Sequence, residues 1–282
     1  MKSIISQPKK LAAFTIVELL TVMSVIVILI GLLVPSLNKV RQYAYQVKQQ
    51  AQFHSIDAAV ELFNSEFDGY PDSGPTDMDG VSYCGSMKLA EAMVGQDLLG
   101  FHPDSIFRAD GWDNSRQLYA DEDNLNVDTS ARKGPYLPLE NANAYRIGDL
   151  YNDTGTFETD HFVLCDVYRN VTNKATGRKV GMPILYYKAD TTKNLHDPET
   201  PDSDIYDYRD NLELLALGWP GEESSTHQLA EAGRFYLNTQ NTQITSMARP
   251  FREDTYILIS AGWDGEYGTP DDICNFDFSY KE

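Results

Sequence analysis

Between Phe14 and Val34 the chain runs for 21 residues with a single ionisable side chain, Glu18. At about 1.5 Å rise per residue, a helix of that length spans roughly the 30 Å hydrocarbon core of a bilayer. No other segment constrains the fold as much. It predicts one membrane-spanning helix and leaves the rest of the chain as a separate folding problem. A carboxylate near the end of such a helix costs on the order of a few kcal/mol without a partner, so Glu18 asks for a function. Lys2, Lys9 and Lys10 precede the segment, which predicts a cytoplasmic start, a single pass and an exported remainder.

A secretory signal carries its small-residue cleavage site after the apolar stretch. Here Ala12-Ala13 comes before it, and Leu33-Val34-Pro35-Ser36 follows. Cleavage between Ala13 and Phe14 would strip the basic leader and leave the helix attached. The run Lys9-Lys10-Leu11-Ala12-Ala13-Phe14-Thr15-Ile16-Val17-Glu18-Leu19-Leu20 resembles the class III leader of the type IV pilin and type II secretion pseudopilin family. The resemblance implies processing by a prepilin peptidase between Ala13 and Phe14 and N-methylation of Phe14. It also implies assembly in which Glu18 of an incoming subunit neutralises the terminal amine of its neighbour. Pro35 falls where pilin helices often carry a proline, and Ala13 stands where the family usually has Gly. The implied partners are other copies of the chain, minor pseudopilins, the peptidase and the inner-membrane assembly platform. A plain single-pass anchor whose Glu18 reaches the headgroups is the alternative.

Composition narrows the function classes. The formal charge is −19, and loss of the three leader lysines would make it −22 (−19 − 3). Such a surface argues against nucleic-acid binding and suits an exported domain that takes up cations. Cys84, Cys165 and Cys274 are far apart and form no C-x-x-C, so one disulfide and three reduced thiols both stay open. The five histidines are scattered, and no H-E-x-x-H, G-x-S-x-G or P-loop is present, which predicts a chain that is not an enzyme.

The helical pattern continues past Pro35, which should kink or locally melt it, until Asp68-Gly69-Tyr70-Pro71, where Gly can cap and Pro blocks resumption. Two stripes lie on this helix. Leu37, Val40, Ala44, Val47, Ala51 and Ala58 suit neighbouring subunits, whereas Phe53, Ile56, Val60, Phe63 and Phe67 suit the chain's own sheet. Residues 70–160 read as loops with one helix near Ser86–Leu99. The acidic run Asp121-Glu122-Asp123-Asn124 lacks the Gly and closing Glu of an EF-hand and reads as a solvated loop. Lys133-Gly134-Pro135-Tyr136-Leu137 is similar to the Gly-x-Tyr-Leu step before the sheet of major pseudopilins. Strands are predicted at Phe162–Tyr168, Met182–Ala189 and Thr255–Ala261, the first two joined as a hairpin through the long loop Asn170–Gly181. A short helix is predicted within Glu222–Gly233. The resulting organisation is a leader (1–13), a transmembrane helix (14–34), an amphipathic extension (35–68) and a globular domain (69–282). The fold class is α+β, a long helix packed on an antiparallel sheet with large loops, which the resemblance implies is the pilin fold.

Near the end, Ile257-Leu258-Ile259-Ser260-Ala261-Gly262-Trp263-Asp264-Gly265 leads through Thr269-Pro270 to Asp271-Asp272. Ca²⁺ takes six to eight oxygens, and a tight acidic loop can supply them from carboxylates and carbonyls together. The run resembles the C-terminal calcium loop of the type II secretion major pseudopilin. Ser260, Gly262, Asp264 and Gly265 match its front, and Asp271 or Asp272 would be the second carboxylate. Carbonyls near Leu258 and Ser260 would be further ligands. The alternative is a hairpin rich in Asx turns whose carboxylates cap backbone amides.

Overall fold

The first and longest element is α1, Ile16–Phe67, in a computed structural model that describes residues 15–121, 124–221, 225–278 and 280. The helix is continuous through Pro35, so the local melting expected there does not occur. Four residues back stands Gly31, with nothing within 4 Å of where a side chain would begin. A carbonyl in that open setting can tilt away from the proline ring. α1 stops where the sequence says it should, but the left-handed residue is Asp68 (φ +58°) rather than Gly69. Asp is among the few residues with a side chain that tolerate this conformation.

The chain forms two compact units, one ending at Ala44 and the other beginning at Tyr45. In the first, the apolar side chains of α1 are exposed, from 43% at Ile26 to 81% at Ile16. In the second, α1 buries Gln49, Gln52, Phe53, Ile56, Ala59, Val60 and Phe63. The two stripes separate accordingly. Leu37, Val40, Val47, Ala51 and Ala58 face outward, and the aromatic stripe enters the core.

The remaining helices are α2 (Gly85–Val94), α3 (Leu139–Ala142), α4 (Ile147–Leu150), α5 (Leu212–Ala216) and α6 (Ala232–Thr239). Strands β1 (Trp112–Asp113) and β2 (Arg116–Gln117) pair with each other, as do β3 (Ala144–Arg146) and β4 (Phe162–Leu164), and β5 (Val171–Thr172) and β6 (Lys179–Val180). The central sheet is antiparallel, in the order β7 (Leu185–Lys188), β8 (Tyr256–Ser260), β9 (Ile273–Cys274).

This sheet is buried on both faces, which is why β7 and β8 read as unbroken apolar runs. Ile184, Tyr186, Tyr256 and Leu258 pack with the aromatic stripe of α1 and with Leu89 and Met93 of α2. Leu185, Tyr187, Ile257 and Ile259 face a second layer built from Tyr206, Leu214, Leu215, Phe235 and Tyr236. α2 lies between the layers with all ten residues buried. Its first residue must be Gly, because a Cβ there would meet the Tyr186 carbonyl at 2.3 Å. The step at Lys133–Leu137 packs here too: Tyr136 sits edge-on to Phe63, and Leu137 is buried.

The expected hairpin across Asn170–Gly181 is present in interrupted form. A bridge joins Cys165 to Pro183, and Val171 pairs with Val180 further out, so the ladder slips between them. The helix expected within Glu222–Gly233 lies later, as α6, after a 3-10 turn at Gln228–Ala230; residues 222–224 are outside the described set. Buried His227, itself extended at the start of that turn, is bound to the Gly218 carbonyl at 3.1 Å. All three cysteines are free thiols; Cys84 and Cys165 are buried, and burial pushes the Cys84 thiol up to about 12.

Candidate functional site

β8 and β9 close a hairpin neck through Ile259↔Cys274 and Ser260↔Ile273, and the loop between them carries the C-terminal acids. The loop turns at Gly262, whose φ of +66° and a Cβ position 2.2 Å from the Asp271 carbonyl exclude any side chain. Tyr267 anchors the far side, fully buried with its hydroxyl donating to the Pro183 carbonyl. Tyr45 of α1 stacks on Tyr168 at 5.7 Å and meets the Trp263 ring edge-on at 5.8 Å, so the helix touches the loop one residue before Asp264.

These constraints bring Asp264, Asp271 and Asp272 together. Asp271 accepts from the Asp264 amide at 2.9 Å and from the Thr269 hydroxyl at 2.8 Å. Asp264 accepts from the Glu266 amide at 2.8 Å, an Asx turn of the kind the alternative reading expects. Asp272 is buried and accepts from the Gly268 amide through Oδ2, while its Oδ1 is buried with no hydrogen-bond partner. Burial, and then the charges of Asp271 and Asp264, push the Asp272 carboxyl well up. Burial and Asp271 raise Asp264 to about 6. Amide capping thus accounts for part of the cluster and leaves one buried oxygen and an excess of negative charge. Carboxylate oxygen is the donor a hard cation takes, but the three acids do not form a group whose ligand atoms all lie within 4.8 Å of one another, so the loop would have to close further around an ion.

The two expected carbonyl positions sit inside the sheet. Leu258 is in mid-β8, with its carbonyl accepting from the Asn275 amide at 3.3 Å. Ser260 ends β8 and gives its hydroxyl to Asp166 at 2.8 Å. Sequence reasoning passed over Asp166. It is buried and also accepts from the Tyr168 and Met182 amides, both at 3.1 Å, tying the end of β4 to the loop's neck.

Burial pushes the Asp166 carboxyl up to about 7 against the pull of Ser260 and the two amides. The folded chain therefore keeps this proton to about pH 7, while the unfolded chain releases it near the ordinary value of 3.8. Stability falls as pH rises through that window and is flat above it. Asp166→Asn keeps an acceptor oxygen but cannot ionise, so its melting temperature should match wild type near pH 4 and exceed it near pH 8, with about 4 kcal/mol as the ceiling. A variant that tracks wild type at both pH values would place the titrating proton elsewhere.

At the other end of the chain, Ala13 and Phe14 lie outside the described residues. Thr15 and Glu18 form a reciprocal cap: the Thr15 amide and hydroxyl donate to Glu18 at 2.9 and 2.7 Å, and the Glu18 amide donates to the Thr15 hydroxyl at 3.2 Å. This is a capping box, and its Thr-x-x-Glu spacing was legible in the sequence. Pro35 lies within α1 as described. In the acidic run after Tyr119, Asp121 caps the Asn124 amide at 2.7 Å, and residues 122–123 are outside the described set.

The features together define a chain with one N-terminal helix long and apolar enough to cross a membrane, followed by a mixed α and β domain with small antiparallel sheets. No family model matches the chain, and neither does any curated protein or solved structure.

Proposed function

We propose that this chain is a pilin-like structural subunit of a type II secretion pseudopilus, cut between Ala13 and Phe14 and assembled through its N-terminal helix, with Ca²⁺ held by the loop between β8 and β9. The observation that carries the reading is the division of one helix into two environments. Its first part exposes an apolar surface that nothing among the described residues covers, and its last part is sealed into the chain's own core. A helix divided in this way can be drawn from lipid into a bundle of like helices while the domain stays folded outside. The cytoplasmic start, the periplasmic domain, the assembly platform and the other subunits follow from the same reading. The oxygen cluster of Asp264, Asp271 and Asp272 favours a pseudopilus over a type IV pilus.

The reciprocal cap favours a second reading, a membrane-anchored periplasmic module that never polymerises, because Glu18 is satisfied without a neighbour's amine. One pair of variants separates the two. Gln serves a capping box as well as Glu does, but it carries no charge. If Glu18 recruits the terminal amine of a neighbour, Glu18→Gln should abolish fibre assembly in cells carrying the secretion machinery, even though the helix start is intact. In the second reading wild type forms no fibre either, Glu18→Gln leaves membrane insertion and the helix start unchanged, and Glu18→Leu removes only the cap. Intact mass and N-terminal sequencing after co-expression with a prepilin peptidase accompany the test. A chain starting at methylated Phe14 is the expected result, and one starting at Met1 would leave the anchored module as the better account.

A further inference from the structure

Away from the C-terminal loop, Glu158, Asp160 and His161 offer one carboxylate oxygen each and a ring nitrogen within 4.8 Å of one another. The backbone that carries them is fixed on its other side. The Ile147 amide donates to the His161 carbonyl at 2.8 Å and the Gly148 amide to that of Thr159 at 2.9 Å, so the start of α4 clamps the approach to β4. The His161 ring points inward. It is 6% exposed, lies edge-on to Tyr83 at 5.0 Å, and has Nε2 at 2.9 Å from the Ala109 carbonyl. A carbonyl can only accept, so Nε2 carries a hydrogen, and in the neutral ring Nδ1 then carries the lone pair. That Nδ1 is buried and has no hydrogen-bond partner.

A buried acceptor left unpaired costs about 1–3 kcal/mol, so a fold that keeps one needs a reason. Both carboxylates beside it are exposed and have no ion-pair or hydrogen-bond partner among the described residues. An imidazole whose far nitrogen donates to a backbone carbonyl is in the tautomer and orientation that metal-ligating histidines adopt. We infer that Glu158, Asp160 and His161 form a second cation site, distinct in chemistry from the C-terminal loop, that binds a first-row divalent ion of the Zn²⁺ class. The mixed nitrogen and oxygen donors select that class over Ca²⁺, which prefers oxygen alone. Two carboxylates balance the dipositive charge, and the exposed side leaves room for water to complete the coordination. The ion would join the segment before β4 to the core at Ala109 and stiffen the β3 and β4 pair.

The test uses the full chain in detergent, stripped of metal and resupplied with Ca²⁺ so that the C-terminal loop is saturated. Zn²⁺ is then titrated in competition with a chromogenic chelator. One equivalent should bind, and the double variant Glu158→Gln/Asp160→Asn, which touches only exposed side chains, should lose affinity by about a hundredfold while its metal-free melting temperature is unchanged. Asp264→Asn/Asp271→Asn should bind Zn²⁺ as wild type does. Deuterium exchange at C2 of the His161 ring, read by mass spectrometry, should slow on Zn²⁺ addition in wild type only. No uptake, uptake unaffected by the Glu158 and Asp160 changes, or uptake lost with the Asp264 and Asp271 changes would each overturn the assignment.

Discussion

Removing divalent cations from the calcium-loaded full chain near pH 7.5 is expected to lower its melting temperature by roughly 10 °C. The estimate follows from mass action: a cation present at about 1,000 times its Kd stabilises the folded state by about 4 kcal/mol, and each kcal/mol moves the transition of a domain this size by roughly 2–4 °C. The physical source is the cluster of Asp264, Asp271 and Asp272. Without a cation, Asp272 has a buried oxygen with no partner, and its carboxyl is pushed up by burial and by its two neighbours. A dipositive ion held there, as proposed, would supply the missing partner and remove the repulsion in one event. Binding must expel the protons these carboxyls retain, so the gain should shrink toward pH 5. Asp272→Asn should erase the response to Ca²⁺. An unchanged melting temperature after chelation of a sample shown to contain the metal would sink the calcium reading, and the capped hairpin would then be the whole role of the loop.

The second large effect is expected at Glu91 of α2. This carboxylate is buried and collects the Ser105, Tyr119 and Tyr83 hydroxyls, the latter two at 2.7 and 2.8 Å, and the Gln96 side-chain amide at 3.2 Å. Burial pushes its carboxyl up, and those four donors pull against it. Through them a single acid on α2 orders the loops from Gln96 to Tyr119, where β1 and β2 supply only two residues each. Glu91→Ala would take the acceptor from three buried hydroxyls at once, those of Ser105, Tyr119 and Tyr83, while Gln96 keeps the Arg108 carbonyl at 2.8 Å, a loss of about 3–5 kcal/mol. We expect the melting temperature to drop by roughly 10 °C and limited proteolysis to begin between His102 and Tyr119. Gln at this position keeps one acceptor and should fall between the two. If Glu91→Ala melts and resists protease as wild type does, the loops draw their order from elsewhere, with the bidentate Arg132 and Asp97 pair at 2.7 Å the next place to look.

What the sequence revealed divides along a physical line. α1, its end at Phe67, and β7 and β8 were legible because each is specified by residues close in the chain: an apolar period, a Pro after Gly, or a run of β-branched and aromatic side chains. The inward stripe of Phe53, Ile56, Val60 and Phe63 was legible for the same reason. β3 was not, because Ala144-Tyr145-Arg146 has no pattern of its own and becomes a strand only by pairing with β4. Glu91 was hidden among many acids, and its importance comes from donors 5 to 28 residues away. In the C-terminal loop the three acids were named through the run's resemblance to a calcium loop, whereas Asp166, which braces the loop's neck from 94 residues earlier, could be found only in three dimensions. The Thr15 and Glu18 cap was readable from its Thr-x-x-Glu spacing, since both halves of the cap lie within one helical turn.

Tyr45 is the first residue of the globular unit, and its ring is clasped by Tyr168, after β4, and by Trp263 in the acidic loop. Within that unit α1 cannot roll about its axis at this point without dragging the loop along or prising three rings apart. The helix and the acidic loop are therefore geared to each other within that unit: a change in the loop's shape would bear as torque on α1 at Tyr45.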